Sequence, residues 1–178
     1  MITIDGGTGT ILHNGVKFNK ESEKMIDQWR RNATLSLNNG ENFLTSDWER
    51  VDSSGQGTCI PGGGMTQSGG IFTFPMTGIY KVEWQCYFED TGSASVNSAN
   101  IYITTNNSSY SNRSSSVNSV ADVGSYSYVS AHTQTFVDVT DTSQVKVKFR
   151  VYSNSTVAMD TSSSENRNCA TFVRLGDT

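Results

Sequence analysis

The chain has 178 residues, enough for one domain with a real hydrophobic core. Only 35% of the residues are hydrophobic and 17% charged, yet 10% are aromatic and the net charge is −4, which excludes the aromatic-poor, highly charged composition of a disordered chain. The acidic balance without any basic run excludes a nucleic-acid reader, and no stretch is apolar enough to cross a bilayer as a helix, so neither nucleic acid nor membrane insertion is expected.

The opening "MITIDGGTGT" has neither a basic region nor an apolar signal core, so the chain reads as one made in a cytoplasm. Sequons such as Asn154-Ser155-Thr156 are then expected to stay unmodified. Cys59, Cys86 and Cys169 are odd in number and far apart, which predicts reduced thiols, with Cys86 and Cys169 as small core residues. Residues 1 to 18 read as an extended arm: Ile2 and Ile4 alternate, Ile11 and Leu12 follow a glycine turn, and Val16 and Phe18 alternate after "HNG". So short an arm has no core of its own and must lie against something else.

Asn19–Arg31 is predicted to be the one short helix, with Asn19 or Ser22 as cap, acids early and Arg30 and Arg31 late. Its narrow stripe of Met25, Ile26 and Trp29 suits either packing on the chain's own domain or a stalk about a symmetry axis. From Ala33 onward every segment reads as strand. Ala33, Leu35 and Leu37 alternate, and Tyr80, Val82, Trp84, Cys86 and Phe88 share one face opposite Lys81, Glu83 and Gln85. Ile101 and Ile103, then Val129, Ala131, Val137 and Val139, then Val145, Val147, Phe149 and Val151 repeat the pattern, and Thr171, Val173 and Leu175 close it. "SSYSNRSSSVNSVADVGS" reads as turns and long loops, or as low-complexity disorder. The fold class is therefore all-β, an antiparallel sandwich in which the Tyr80–Phe88 face looks toward a second sheet. Ile79 and Tyr87 on the opposite face call for a covering partner.

Phe72, Phe74, Pro75, Gly78 and Tyr80, followed by alternating aromatics, resemble the signature of the complement-q globular domain, the jelly roll shared with the tumour necrosis factor superfamily. Phe72, Gly78 and Tyr80 match its spacing, while Val82 and Trp84 stand at positions where that family prefers other aromatics. Ile60 and Met65 depart from it upstream; "VDVTDTSQVKVKFRV" and "ATFVRLGDT" resemble its late hairpin and last strand. The resemblance spans roughly residues 33 to 178 and leaves 1–32 as arm and helix. It implies a homotrimer around a threefold axis, with Phe72, Phe74, Gly78, Tyr80, Trp84 and Phe88 as a motif serving the core or the subunit interface. The opening "MITIDGGTGTILHNG", and "WERVD" ahead of "GIFTFP", resemble small tailed-phage virion proteins. That resemblance implies a virion-surface protein, a tail fibre or appendage component or a capsid decoration. Its arm (Ile2, Ile4, Ile11, Leu12, Val16, Phe18) would hold other virion proteins.

Catalytic chemistry is not expected. His13 and His132 stand alone, no serine occupies a nucleophile elbow, no cysteine pair has zinc spacing, and "GGTG" and "PGGGM" lack the lysine of a phosphate loop. No cofactor or metal is expected; Glu89-Asp90 and Asp138 with Asp141 offer oxygens to calcium, with solvated loop ends as the other reading. The competing function is host attachment. There a surface glycan or protein would meet segments 91–100 and 106–128, with Tyr110, Tyr126 and Tyr128 as stacking platforms.

Overall fold

Period-two alternation of apolar and polar residues builds the long strands of the core. In chain order the strands are Ile2–Asp5 (β1), Thr10–His13 (β2), Val16–Lys17 (β3), Met25–Arg31 (β4), Leu35–Leu37 (β5), Gly40–Phe43 (β6), Trp48–Arg50 (β7) and Thr66–Ser68 (β8). They continue as Ile71–Thr73 (β9), Gly78–Asp90 (β10), Ser95–Thr104 (β11), Ser111–Val120 (β12), Ser127–Val139 (β13), Lys146–Ser153 (β14), Val157–Met159 (β15) and Cys169–Gly176 (β16). The computed structural model describes residues 2–5, 10–13, 16–17, 24–58, 60, 63–90 and 95–178, the first three segments as backbone. Among the described residues there is no helix, and so none long and apolar enough to cross a membrane.

The strands from β4 onward make two antiparallel sheets. In the first, β10 pairs with β13 along its whole length, Gly78↔Val139 to Asp90↔Ser127. Its other edge pairs with β16, which passes the sheet on to β4 and β7, while β15 and β5 lie beside the far end of β10. In the second sheet β14 pairs with β11, which pairs with β12; the opposite edge of β14 takes β9 and then β6.

The inner faces of the two sheets make one core. Tyr80, Val82, Trp84, Cys86 and Phe88 of β10 are fully buried, as are Phe72, Ile101, Val147, Phe149 and Phe172. Rings meet edge to face or tilted: Trp84 to Phe149 at 5.0 Å, Trp48 to Trp84 at 5.5 Å, Phe72 to Phe149 at 5.4 Å and Phe74 to Tyr80 at 4.7 Å. Each such side chain gains about 1.5–3 kcal/mol on burial. Gly78 opens β10 at φ +141°, and a Cβ there would stand 2.5 Å from Gly176 O, so the last strand closes against a residue without a side chain.

Three expectations are corrected. The helix over Asn19–Arg31 is strand from Met25 onward, paired with β16 on one side and β7 on the other. Pairing with β16 along Met25–Arg30 and with β7 along Trp29–Arg31 outweighs a weak helical preference. The remainder of that expected helix, apart from Lys24, lies outside the described residues. The sandwich therefore takes in Met25–Arg31 as well as residues beyond 33. "SSYSNRSSSVNSVADVGS" contains β12, a ten-residue strand in register with β11. In β16 the core-facing residues are Ala170 and Phe172; Val173 and Leu175 look the other way.

A candidate interaction face on the first sheet

The outer face of the first sheet is built by the odd positions of β10 and the residues level with them. Register aligns Ile26 of β4 with Val173 of β16, Val173 with Lys81 of β10, and Lys81 with Phe136 of β13. The result is one row across four strands with three apolar members. Phe136 is 66% exposed and Ile26 42%, and Leu175, two residues along from Val173, is 49% exposed.

The middle of the face is polar. Glu83 accepts from Lys81 Nζ at 2.6 Å, with His132 Nε2 at 4.0 Å on its other side. Gln28 donates to Thr171 Oγ1 (3.1 Å) and Gln85 to Asn166 O (3.2 Å); these groups line an open pocket of about 250 Å³ with Cys169 at its wall. Burial pushes the Cys169 thiol up to about 11, so it stays protonated near neutrality and is a poor nucleophile. The pocket is an amide-rich surface that offers hydrogen bonds. Cys86 behaves as the core residue expected, whereas Cys169 sits almost buried on the outer side of its strand; Cys59 lies outside the described residues.

Beyond the pocket the face turns aromatic. Tyr87 stacks on Tyr128 with centroids 5.7 Å apart and planes 19° from parallel, and the Arg167 guanidinium lies 5.5 Å from the Tyr87 ring. Tyr126, 63% exposed, stands in the turn just before β13. Tyr110 is elsewhere, on the outer side of the second sheet, where Lys148 Nζ lies 4.2 Å from its ring and 4.1 Å from that of Phe43. Desolvation lowers the Lys148 pKa. The three tyrosines therefore do not form one surface, and much of segments 91–100 and 106–128 is strand rather than loop.

Phe72, Phe74, Tyr80, Trp84 and Phe88 lie between the two sheets at no more than 1% exposure, leaving no surface for a second chain, and Gly78 serves the closure against β16. Of the two roles open to this motif, the structure assigns the core. Ile2, Ile4, Ile11, Leu12 and Val16 lie on β1, β2 and β3, and Phe18 lies outside the described residues. His13 ends β2 rather than forming a turn, and His132 faces out from β13. Of the calcium candidates, Asp90 is buried at the end of β10. Asp141 caps its own turn, accepting from Ser143 N and Oγ at 2.7 Å each, bonds that hold its carboxyl below the ordinary range.

The outer row was missed by sequence reading because its members come from four separate strands. The available signal was the spare apolar residues Ile26, Ile79, Val173 and Leu175 opposite core-facing ones.

No family model matches the sequence, and no curated protein does. Solved structures do resemble it. Murine APRIL at pH 5.0 superposes with a TM-score of 0.54 at 14% identity, covering 85% of this chain and 99% of that one. Murine APRIL at pH 8.5 and at pH 8.0 superposes with TM-scores of 0.53 at 14% and 13% identity, with the same coverage of both chains. At such identity the likeness concerns the fold: this chain is an all-β antiparallel sandwich of the tumour-necrosis-factor-like jelly-roll type.

Proposed function

We propose that the chain is a non-enzymatic structural protein of a phage virion surface, a homotrimer that displays its jelly roll and is held to other virion proteins by its N-terminal arm. The observation that carries the assembly is the row Ile26–Val173–Lys81–Phe136 with Leu175 beside it. Large apolar side chains left exposed on one face, here Ile26, Phe136 and Leu175 around Lys81, mark an interaction site. The stoichiometry of three comes from the resemblance to trimeric jelly rolls. The virion setting rests on the resemblance of "MITIDGGTGTILHNG" and "WERVD" to tailed-phage proteins.

Light scattering on the purified chain at micromolar concentration tests the assembly; a stable monomer would remove it. Antibody labelling of intact particles tests the setting, placing the label on a fibre, an appendage or the head. Particles that carry no label would remove the virion reading and leave the trimer standing.

A second reading, host attachment, has its own support. Tyr126 and Tyr128 are both more than half exposed, and Tyr128 is already stacked on Tyr87. Flat aromatic faces of this kind suit the apolar faces of sugars. Binding of host-surface glycans that is lost in Tyr128→Ala would support it, and binding unaffected by that change would count against it.

A further inference from the structure

The strands of the second sheet carry Arg113, Lys146, Lys148 and Arg150 against a single acid, Glu41, although the chain as a whole stands at −4. Val147, Phe149 and Val151 of β14 fill the core, so Lys146, Lys148 and Arg150 all stand on the outer face, about 6.5 Å from one to the next. Register sets Lys148 beside Tyr102 and Ile71, and Arg150 beside Asn100 and Phe43. Two of these three cations are engaged within the chain. Arg150 pairs with Glu41, donates to Asn100 Oδ1 at 3.3 Å and lies over the Tyr102 ring. Lys146 donates to Thr73 Oγ1 at 3.0 Å and to Thr142 O at 2.8 Å, and its charge acts on Asp141. Lys148 differs. Its Nζ sits 4.1 Å from the Phe43 ring and 4.2 Å from the Tyr110 ring, and among the described residues no carboxylate pairs with it.

A surface lysine ordinarily keeps its ammonium in open water. This one is held against two rings and partly stripped of its water, which lowers its pKa. Ring faces attract a cation but leave its charge unneutralised. A carboxylate arriving there meets a cation already partly desolvated, so the pair is stronger than one formed in open solvent. We propose that the outer face of the second sheet binds a carboxylated saccharide, with Lys148 holding the carboxylate. Phe43, 39% exposed, offers its ring to the sugar. Asn112, in the row of Lys148 and Tyr102, and Ser115, in the row of Arg150 and Asn100, are exposed on β12 and offer hydrogen bonds to its hydroxyls. Lys146 and Arg150 keep the field on either side of Lys148 positive, which favours the approach of an anion. This names a ligand class for the host-attachment reading, on which it rests, at a surface on the opposite side of the sandwich from Tyr128. The proposed subunit row lies on the first sheet, so assembly through it leaves this face outward.

Titration calorimetry on the full chain tests this with three probes: polygalacturonate, a carboxylated sugar polymer; dextran, an uncharged one; and polyphosphate, charge without sugar. The parent should bind polygalacturonate and not dextran. Lys148→Gln should weaken that binding about tenfold or more, the loss expected for a hydrogen bond to a charged group. Lys148→Arg, which keeps the charge, should retain binding, and so should Lys24→Gln, which removes a positive charge elsewhere. Phe43→Ala should weaken polygalacturonate and leave polyphosphate unchanged; it carries the test if Lys148→Gln does not fold. No binding of polygalacturonate by the folded parent would overturn the proposal, and so would dextran bound equally well. Equal losses in Lys24→Gln and Lys148→Gln would overturn it by showing a diffuse charge effect. Polyphosphate bound as tightly as polygalacturonate, with Phe43→Ala changing neither, would overturn the saccharide assignment in favour of a bare polyanion surface. Polygalacturonate binding lost in Tyr128→Ala but kept in Lys148→Gln would overturn this site and leave the host-attachment reading standing.

Discussion

Asp27 accepts two hydrogen bonds from Arg50, from Nε at 3.0 Å and Nη2 at 3.1 Å, from a position with no exposed surface. The same carboxylate accepts from Met65 N at 2.7 Å and Trp29 Nε1 at 3.2 Å, and a Cβ on Gly64 would lie 2.4 Å from its Oδ2. One buried charge thereby ties β4 to β7 and to the backbone before β8. The rest of "WERVD" is similarly engaged: Trp48 and Val51 are buried, and Glu49 and Asp52 both receive Arg30. Asp27→Ala should cost about 2–3 kcal/mol in denaturant melts, less than for a fully buried pair because Arg50 keeps some access to water. Asp27→Asn should lie between the two, since it still accepts from Met65. A loss under about 0.5 kcal/mol, the range of ordinary surface changes, would show that the pair does not hold β4 in place.

Trp84 has no exposed surface and packs against both Trp48 and Phe149. Trp84→Ala should destabilise the chain by about 3–5 kcal/mol, the usual cost of emptying a buried aromatic site. Urea melts followed by far-ultraviolet circular dichroism read this directly, and a cost under about 1 kcal/mol would contradict the packing.

Phe136 is the outward counterpart of these core residues. Phe136→Asp should give a folded monomer by light scattering, with a circular dichroism spectrum like that of the parent. An unchanged trimer mass would mean that the Ile26–Phe136 row is not the subunit interface.

Glu49 gives the acid limb of stability a specific contributor. Its carboxyl accepts from Arg30 Nε at 2.7 Å and from Asn32 Nδ2 at 2.9 Å, and these bonds lower its pKa. A carboxylate depressed in the folded state stabilises fully above its ordinary value. That stabilisation is lost as pH falls from there through the folded value. Melting temperature should therefore drop more steeply below the ordinary glutamate range in the parent than in Glu49→Gln. Parallel acid limbs in the two proteins would show that the bond carries no linkage.

Deleting residues 1–18 should leave the sandwich folded, because every core side chain named above comes from Met25 onward. The same deletion should abolish attachment to particles in a co-sedimentation assay. A truncated protein that still decorates particles would place the anchor elsewhere. One that fails to fold would make the arm part of the core.

The long strands and the core were legible in the sequence, because alternation over many residues has one structural meaning. Tyr80 to Phe88, Val129 to Val139 and Val145 to Val151 each point alternate residues inward, as their spacing demands. Short or polar elements were not legible. Met25, Ile26 and Trp29 fit a helical stripe as well as a strand, and Asp27, Arg30 and Arg31 look like a solvated face until residues 47–52 arrive to neutralise them. β12 has no apolar period, and its backbone is ordered by the ladder of β11 with side-chain bonds such as Ser115 Oγ to Asn100 Oδ1 at 2.9 Å. The candidate face lay furthest from reach. Ile26, Lys81, Phe136 and Val173 become one row only through strand register, and a slip of one residue would send each of them into the core instead.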